Sequence, residues 1–242
     1  KLPPGFTGAW GSLGQGFATS PRPELRSTIV VLDGNGRQIE RDIWTQWDKL
    51  FQGGPQNAGG PHKIRISPYD PDRHVWVVDE IRHVIYKFSN DGRRLVKTLG
   101  EVDKAGDDQG HFGQPQDVAF LADGSLLVAD GLVNARIVKF DRAETFVSQW
   151  GSKGAGPDQL DRIHGIDADK SGRVYVADRG NRRIQVFDQA GKHLDTWPGL
   201  RFPNHIVVAP DGNVWVADGS NARILKYDRN GRMQYYWGAY GT

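Results

Sequence analysis

Two histidines stand where this chain could assemble a metal site. His62 follows Pro61 and His164 follows Ile163, and each directly precedes a short segment that reads as a strand. Neutral imidazole is a good zinc ligand, and a catalytic zinc usually takes three protein ligands and leaves one position open. No H-x-H or H-x-x-x-H pair occurs, so any ligand set has to converge from distant segments. The alternative is that both rings are bonded only to water. Gln116 and Asn204 occupy the corresponding positions before two other strands, and His111 lies on the loop leading to Gln116. Arg179 follows Asp178 where Gly131 and Gly219 follow the equivalent aspartates. Its guanidinium could hold a carboxylate or form a surface salt bridge.

The elements that must position these residues come from a repeat. Leu127-Val128-Ala129-Asp130, Val174-Tyr175-Val176-Ala177-Asp178 and Val214-Trp215-Val216-Ala217-Asp218 are copies of one strand. Each is followed by a basic strand ending in an aromatic residue, as in Asn181-Arg182-Arg183-Ile184-Gln185-Val186-Phe187-Asp188. A looser copy contains Val77-Val78-Asp79 and His83 to Phe88. The continuously apolar strand is expected to be buried on both faces. Asp91-Gly92, Asp123-Gly124, Asp211-Gly212 and Asn230-Gly231 supply tight turns. Four-stranded antiparallel units at this spacing read as blades of an all-β propeller. Full blades are expected over 61–100, 115–151, 163–199 and 203–238, with a half blade over 27–50 and an irregular segment over 1–26. The whole chain, 1–242, is read as one propeller domain, about four and a half blades, incomplete at both ends. A ring must close to protect its edge strands, so a missing segment, residues 1–26 or a partner chain is expected to complete it.

In such a ring His62, Gln116, His164 and Asn204 begin innermost strands and face one mouth of the central channel. His205, one position beyond Asn204, should turn away by strand alternation. Asp79, Asp130, Asp178 and Asp218, with Arg136, Arg183 and Arg223, recur too regularly for an active site and read as scaffold. The tryptophans, mostly on the second strand or at the end of the fourth, read as inter-blade packing.

Composition narrows the function classes. Thirty-one basic and 29 acidic residues leave a formal charge of +2, spread without a basic patch, so no nucleic-acid partner is expected. No apolar run approaches the ~18 residues of a membrane helix, so no membrane span is expected. Cysteine is absent, which excludes thiol chemistry and a disulfide framework. The chain opens on Lys1 and its single methionine is Met233. A processed protein, secreted or periplasmic, would read this way, as would a fragment; export is the expectation.

The N-x-R-[IV]-x-x-[FY]-D strand after V-A-D resembles the NHL repeat, over residues 28–240. Within that class the chain is similar to the peptidyl-α-hydroxyglycine α-amidating lyases. Pro61-His62 with His83 to Phe88, His111 to Ala119, and Asp130 to Phe140 carry that similarity. The resemblance implies a six-bladed propeller with a zinc ion held by three histidines, at His62, at His164 and in a blade beyond residue 242. It also admits calcium. A tyrosine and an arginine beside the zinc would help break a carbinolamide bond, releasing amide and glyoxylate. The tyrosine position is Leu132, and the arginine belongs to a half blade this chain lacks. Two functions are therefore expected: a propeller that binds a protein or small ligand at its channel mouth, through a metal or without one, or a zinc-dependent lyase.

Overall fold

A computed structural model describes residues 29–37, 43–51 and 60–238, and the regular structure of this chain is read from it. Four four-stranded sheets form. The first holds β1 (Lys63–Ile66), β2 (Val75–Asp79), β3 (Val84–Phe88) and β4 (Leu95–Leu99). The second holds β5 (Pro115–Phe120), β6 (Leu126–Asp130), β7 (Arg136–Phe140) and β8 (Phe146–Trp150). The third holds β9 (Gly165–Ala168), β10 (Val174–Asp178), β11 (Arg183–Phe187) and β12 (His193–Trp197). The fourth holds β13 (Pro203–Val208), β14 (Val214–Asp218), β15 (Arg223–Tyr227) and β16 (Met233–Trp237). Each is an antiparallel meander in chain order, and together they are blades of a β-propeller.

Burial follows the sequence pattern. β2, β6 and β10 are buried at every residue, β6 and β10 between neighbouring blades and β2 between the second blade and residues Ile29, Trp44 and Phe51. The glycines of the tight turns take positive φ, among them Gly92 (68°), Gly124 (88°) and Gly212 (81°). At Gly191 and Gly231 a Cβ would also strike the indoles of Trp150 and Trp197, at 2.6 and 2.2 Å. Those tryptophans end the outer strand of one blade and cover the turn of the next.

Three apolar clusters bind successive blades. Val78, Ile85 and Leu99 meet Phe112, Val118 and Val128. Leu127 and Ile137 meet Ile163, Val174 and Val176. Tyr175, Ile184 and Trp197 meet Val214, Val216 and Tyr227. On the fourth blade Trp237 is 64% exposed where its counterpart Trp197 is 4% exposed, so it does not pack between blades here.

Of the half blade expected over 27–50, residues 27, 28 and 38–42 lie outside the described residues, and from Ile43 the chain is helical. Ile43–Trp47 is a 3-10 helix that runs into Asp48–Phe51. Trp44, Trp47 and Phe51 project at helical spacing onto Phe88 and cover the first blade.

The recurring aspartates are buried scaffold. Asp130, Asp178 and Asp218 pair with Arg136, Arg183 and Arg223 at 2.8, 2.7 and 3.0 Å. Asn134, Asn181 and Asn221 donate to the same carboxylates. Each arginine also donates to carbonyls of the preceding inter-blade loop, such as Arg183 to Ala155, Gly156 and Gln159. The first blade has Val84 in place of the arginine, and burial pushes the Asp79 carboxyl up to about 6 against bonds from the Arg82 and Gly60 amides. No helix among the described residues is long and apolar enough to cross a membrane.

Candidate functional site at the channel mouth

The inner strands β1, β5, β9 and β13 begin at one end of the ring, and the expected channel residues gather there. The amides of His62 and His164 bond the carbonyls of Val78 and Ala177, which fixes where each ring starts. The rings meet edge to face, with centroids 5.0 Å apart. His62 Nδ1 donates to the Gln116 carbonyl at 3.0 Å, and His164 Nδ1 donates to the Asn204 carbonyl at 2.8 Å. In the neutral tautomer this leaves the Nε2 lone pair of each ring unspent, the arrangement of a metal-ligating histidine held by a backbone carbonyl.

Both carbonyls come from bulges. Pro115 and Asp117 pair with Asp130 and Ala129, so Gln116 is an extra residue in β5; Asn204 is likewise extra between Pro203 and His205. The expectation for His205 is corrected. The residue pairs with Ala217 in the register in which Lys63 pairs with Val78, and like Lys63 it points across the channel, with Nδ1 3.2 Å from Lys63 Nζ and 3.6 Å from Asp117 Oδ2.

Asp117 therefore anchors a buried charged layer one step below the mouth. Arg65 donates two bonds to it, at 2.9 and 2.7 Å, and a third to the Ile166 carbonyl at 3.3 Å. Burial pushes the Asp117 carboxyl up, but Arg65, Lys63 and His205 more than offset this and hold it well below the usual range. Burial lowers the Lys63 ammonium against the pull of Asp117. Asp167, half-buried, is raised by desolvation.

Around the mouth, Gln116 is fully buried, and its Nε2 donates to Glu80 Oε2 at 2.6 Å and to the Gln114 carbonyl at 3.1 Å. Glu80 Oε2 also lies 3.7 Å from His62 Nε2. Glu80 was missed in the sequence, although it breaks the repeat at the position after the aspartate just as Arg179 does. Arg179 is half-buried, its guanidinium 4.7 Å over the Phe202 ring. Burial and Arg162 lower it while Glu80 raises it. Asn204 Oδ1 and Gln116 Oε1 are buried without protein partners. Leu132 lies in the turn after β6, offering only its amide, 3.5 Å from the Gln114 carbonyl. His111 is engaged elsewhere, by Asp108 at 2.8 Å and Glu101 at 3.2 Å. The donors at the mouth, two imidazole nitrogens beside a carboxylate, are of types that zinc takes, but they do not form a group of three within 4.8 Å of one another, which among the described residues only Asp70, Asp72 and His74 do.

His164 carries a pH signature. Burial first, then Arg179, His62 and Lys63, push its imidazole down to about 3, with only the Asn204 carbonyl opposing. An unfolded histidine titrates near about 6.5. Between these values the unfolded chain takes up a proton that the folded one refuses. This contribution to stability is complete above about pH 6.5 and is lost as pH falls towards 3, at up to about 1.4 kcal/mol per pH unit. Urea unfolding at about pH 7 and pH 4.5 is expected to show a shallower pH slope in His164→Gln than in the parent. Identical slopes would mean that His164 is not the group refusing the proton.

Residues 160–187 and 200–227 match the NHL repeat family. With its four meander blades, the chain is an NHL-repeat β-propeller. Among curated proteins it is similar to the peptidylglycine alpha-amidating monooxygenase of Rattus norvegicus, 35% identical over 68% of this chain and 16% of that protein. It is 30% identical to peptidyl-alpha-hydroxyglycine alpha-amidating lyase 1 of Drosophila melanogaster, over 68% of this chain and 30% of that one. NHL repeat-containing protein 3 of Homo sapiens is 32% identical over 70% of this chain and 51% of its own length. The chain thus spans about half or less of the relatives named. Solved structures share the fold: a nidogen/laminin complex (TM-score 0.60, 19% identity, 76% of this chain and 65% of that one) and a streptogramin B lyase (TM-score 0.56, 18% identity, 72% and 53%).

Proposed function

We propose that this propeller binds a small carboxylate-bearing ligand at its channel mouth, next to a zinc ion held by His62 and His164. The observation that carries the reading is the pair of imidazoles from two separate blades, each with Nδ1 committed to a carbonyl and Nε2 left to ligate. A zinc ion bound there would supply Lewis acidity to a ligand oxygen. Arg179, partly desolvated, would attract the ligand carboxylate more strongly than an arginine in water. Asp117 with Arg65, Lys63 and His205 lies beneath the mouth.

A second reading, a zinc-dependent lyase that cleaves a carbinolamide C–N bond to release glyoxylate, is favoured by the similarity to the amidating lyases. Leu132 counts against it, because an aliphatic side chain can neither take nor give a proton at the position where the resemblance places a tyrosine.

Metal analysis of the purified protein is expected to find stoichiometric zinc that is lost in His62→Ala and in His164→Ala. Zinc retained in both variants, or none in the parent, would refute the site. Incubation with a peptidyl-α-hydroxyglycine then separates the two functions. Binding without glyoxylate is expected for the first, and zinc-dependent glyoxylate release would replace it with the second.

A further inference from the structure

The contact between successive blades reuses a few parts. The turn between the third and fourth strands of a blade is covered by an indole from the preceding element. Trp47 donates to the Gly92 carbonyl at 2.7 Å, Trp150 lies on Gly191, and Trp197 lies on Gly231. A lysine of the third strand reaches across to the next blade's turn, Lys87 to Glu144 and Lys139 to the Gln189 carbonyl at 3.3 Å. Apolar residues fill the space between, as Ile184 and Trp197 do against Leu225 and Tyr227.

The outer face of the fourth blade carries the covering half of this contact, with no described residue beneath it. Ile224 pairs with Trp237 as Ile184 pairs with Trp197. Yet Ile224 is 38% exposed where Ile184 is fully buried. Lys226, at the strand position of Lys139, finds only Asp211 of its own blade, at 4.0 Å.

Residues 29–37 carry the covered half. The Asp33 carbonyl accepts from the Gly36 amide, and its carboxylate accepts from the amides of Asn35 and Arg37. Asp188 holds Gly191, Ala190 and Lys192 in the same way. Gly36 has φ 79° and Gly191 has φ 90°, but a Cβ on Gly36 would meet no atom within 4 Å, whereas one on Gly191 strikes an indole. The turn is of the covered kind and is bare. Ile29 packs on the first blade, while Val30 and Leu32, which alternate with it, are exposed. Counted back from the turn aspartate, their counterparts in the fourth blade are Leu225 and Tyr227, both buried against the third.

We propose that the fourth blade of one copy docks on residues 29–37 of a second copy of this chain. The Trp237 indole lies on the Gly36 turn, Ile224 and Trp237 face Val30 and Leu32, and Lys226 meets the turn beside the Asp33 carboxylate. A second copy fits because it brings the glycine turn, the apolar pair and the lysine's acceptors together, in the arrangement by which this chain's own blades already join. The contact is heterologous, so its repetition builds a row of copies or a closed ring, not a two-fold dimer. His62 and His164 take no part in it.

The test is sedimentation velocity on the full 242-residue chain over a concentration series, for the parent, Trp237→Glu, Leu32→Lys and Val147→Lys, with circular dichroism as the check of folding. The parent is expected to form oligomers that grow with concentration, and the first two variants to stay folded and monomeric. Val147, about as exposed as Leu32 but on the second blade, is the control, and its variant should match the parent. Mixing Trp237→Glu with Leu32→Lys should give one-to-one pairs and nothing larger, since each brings the surface that the other lacks. A parent that is monomeric at about 100 µM, where ordinary specific interfaces are populated, would overturn the docking. If Trp237→Glu also lowered the melting temperature of that monomer, the cover would belong to the same chain. Association that survives Leu32→Lys would mean that fourth blades pair with each other, and a mixture that stays monomeric would exclude the head-to-tail contact; either result overturns it.

Discussion

Asp117→Ala is expected to unfold at a clearly lower urea concentration than the parent, having lost about 3–5 kcal/mol of stability. The carboxylate takes two bonds from Arg65 and faces Lys63 and His205, so it neutralises groups delivered by the first and fourth blades from a strand of the second. Its removal leaves cations in a buried channel with Asp167 as the next carboxylate, itself raised by burial. Breaking such a pair is costly because of the charge left behind, not because the intact pair is strongly stabilising. The double variant Arg65→Met, Asp117→Leu should therefore recover most of the loss, an interaction that a double-mutant cycle reads directly. An Asp117→Ala protein within about 1 kcal/mol of the parent would mean that the cluster is hydrated like a surface pair.

Gly131→Ala is the second large effect, at the upper end of the about 1–3 kcal/mol usual for overpacking. The added Cβ would sit 2.0 Å from the Ile163 carbonyl oxygen and 2.6 Å from Ile163 Cγ1. Backbone cannot swing aside as a side-chain tip can, so the second and third blades must part. Ile163 directly precedes His164, and the same variant should weaken zinc binding at the mouth. Gly34→Ala, with no atom within 4 Å of its Cβ, is the control and should melt with the parent. Parent-like melting of Gly131→Ala would show that the corner after β6 does not press on Ile163.

The blades were legible because their signals are local and repeated. An apolar run ending in aspartate, a glycine turn and a basic strand with an arginine two residues after the asparagine each dictate a contact within one repeat. The mouth was harder. That His62, His164, Gln116 and Asn204 share an end of the ring follows from their place in the repeat, whereas the bulges at Gln116 and Asn204 do not. Each bulge is one extra residue that sets a carbonyl against the histidine of the preceding blade. Glu80 was visible in principle, but it lies in the loosest copy of the repeat, where Val84 replaces the expected arginine and blurs the comparison. Residues 43–51 carried a readable sign as well. Trp44, Trp47 and Phe51 are spaced for a helix, not for the alternation of a strand.

The bulges have a consequence for how the mouth treats whatever enters it. They occur in the second and fourth blades, while the histidines stand in the first and third, so the described blades hold two matched half-sites. Each half-site is a histidine on one blade gripped by the main chain of the next. Because the grip is a backbone carbonyl, changes of side chain at 116 or 204 leave both tautomers in place, and only a change in strand length there releases them. The half-sites match in geometry but differ in sign, one bearing Glu80 and the other Arg179. Opposite charges on the two half-sites give the cup a polarity along which a charged ligand is oriented.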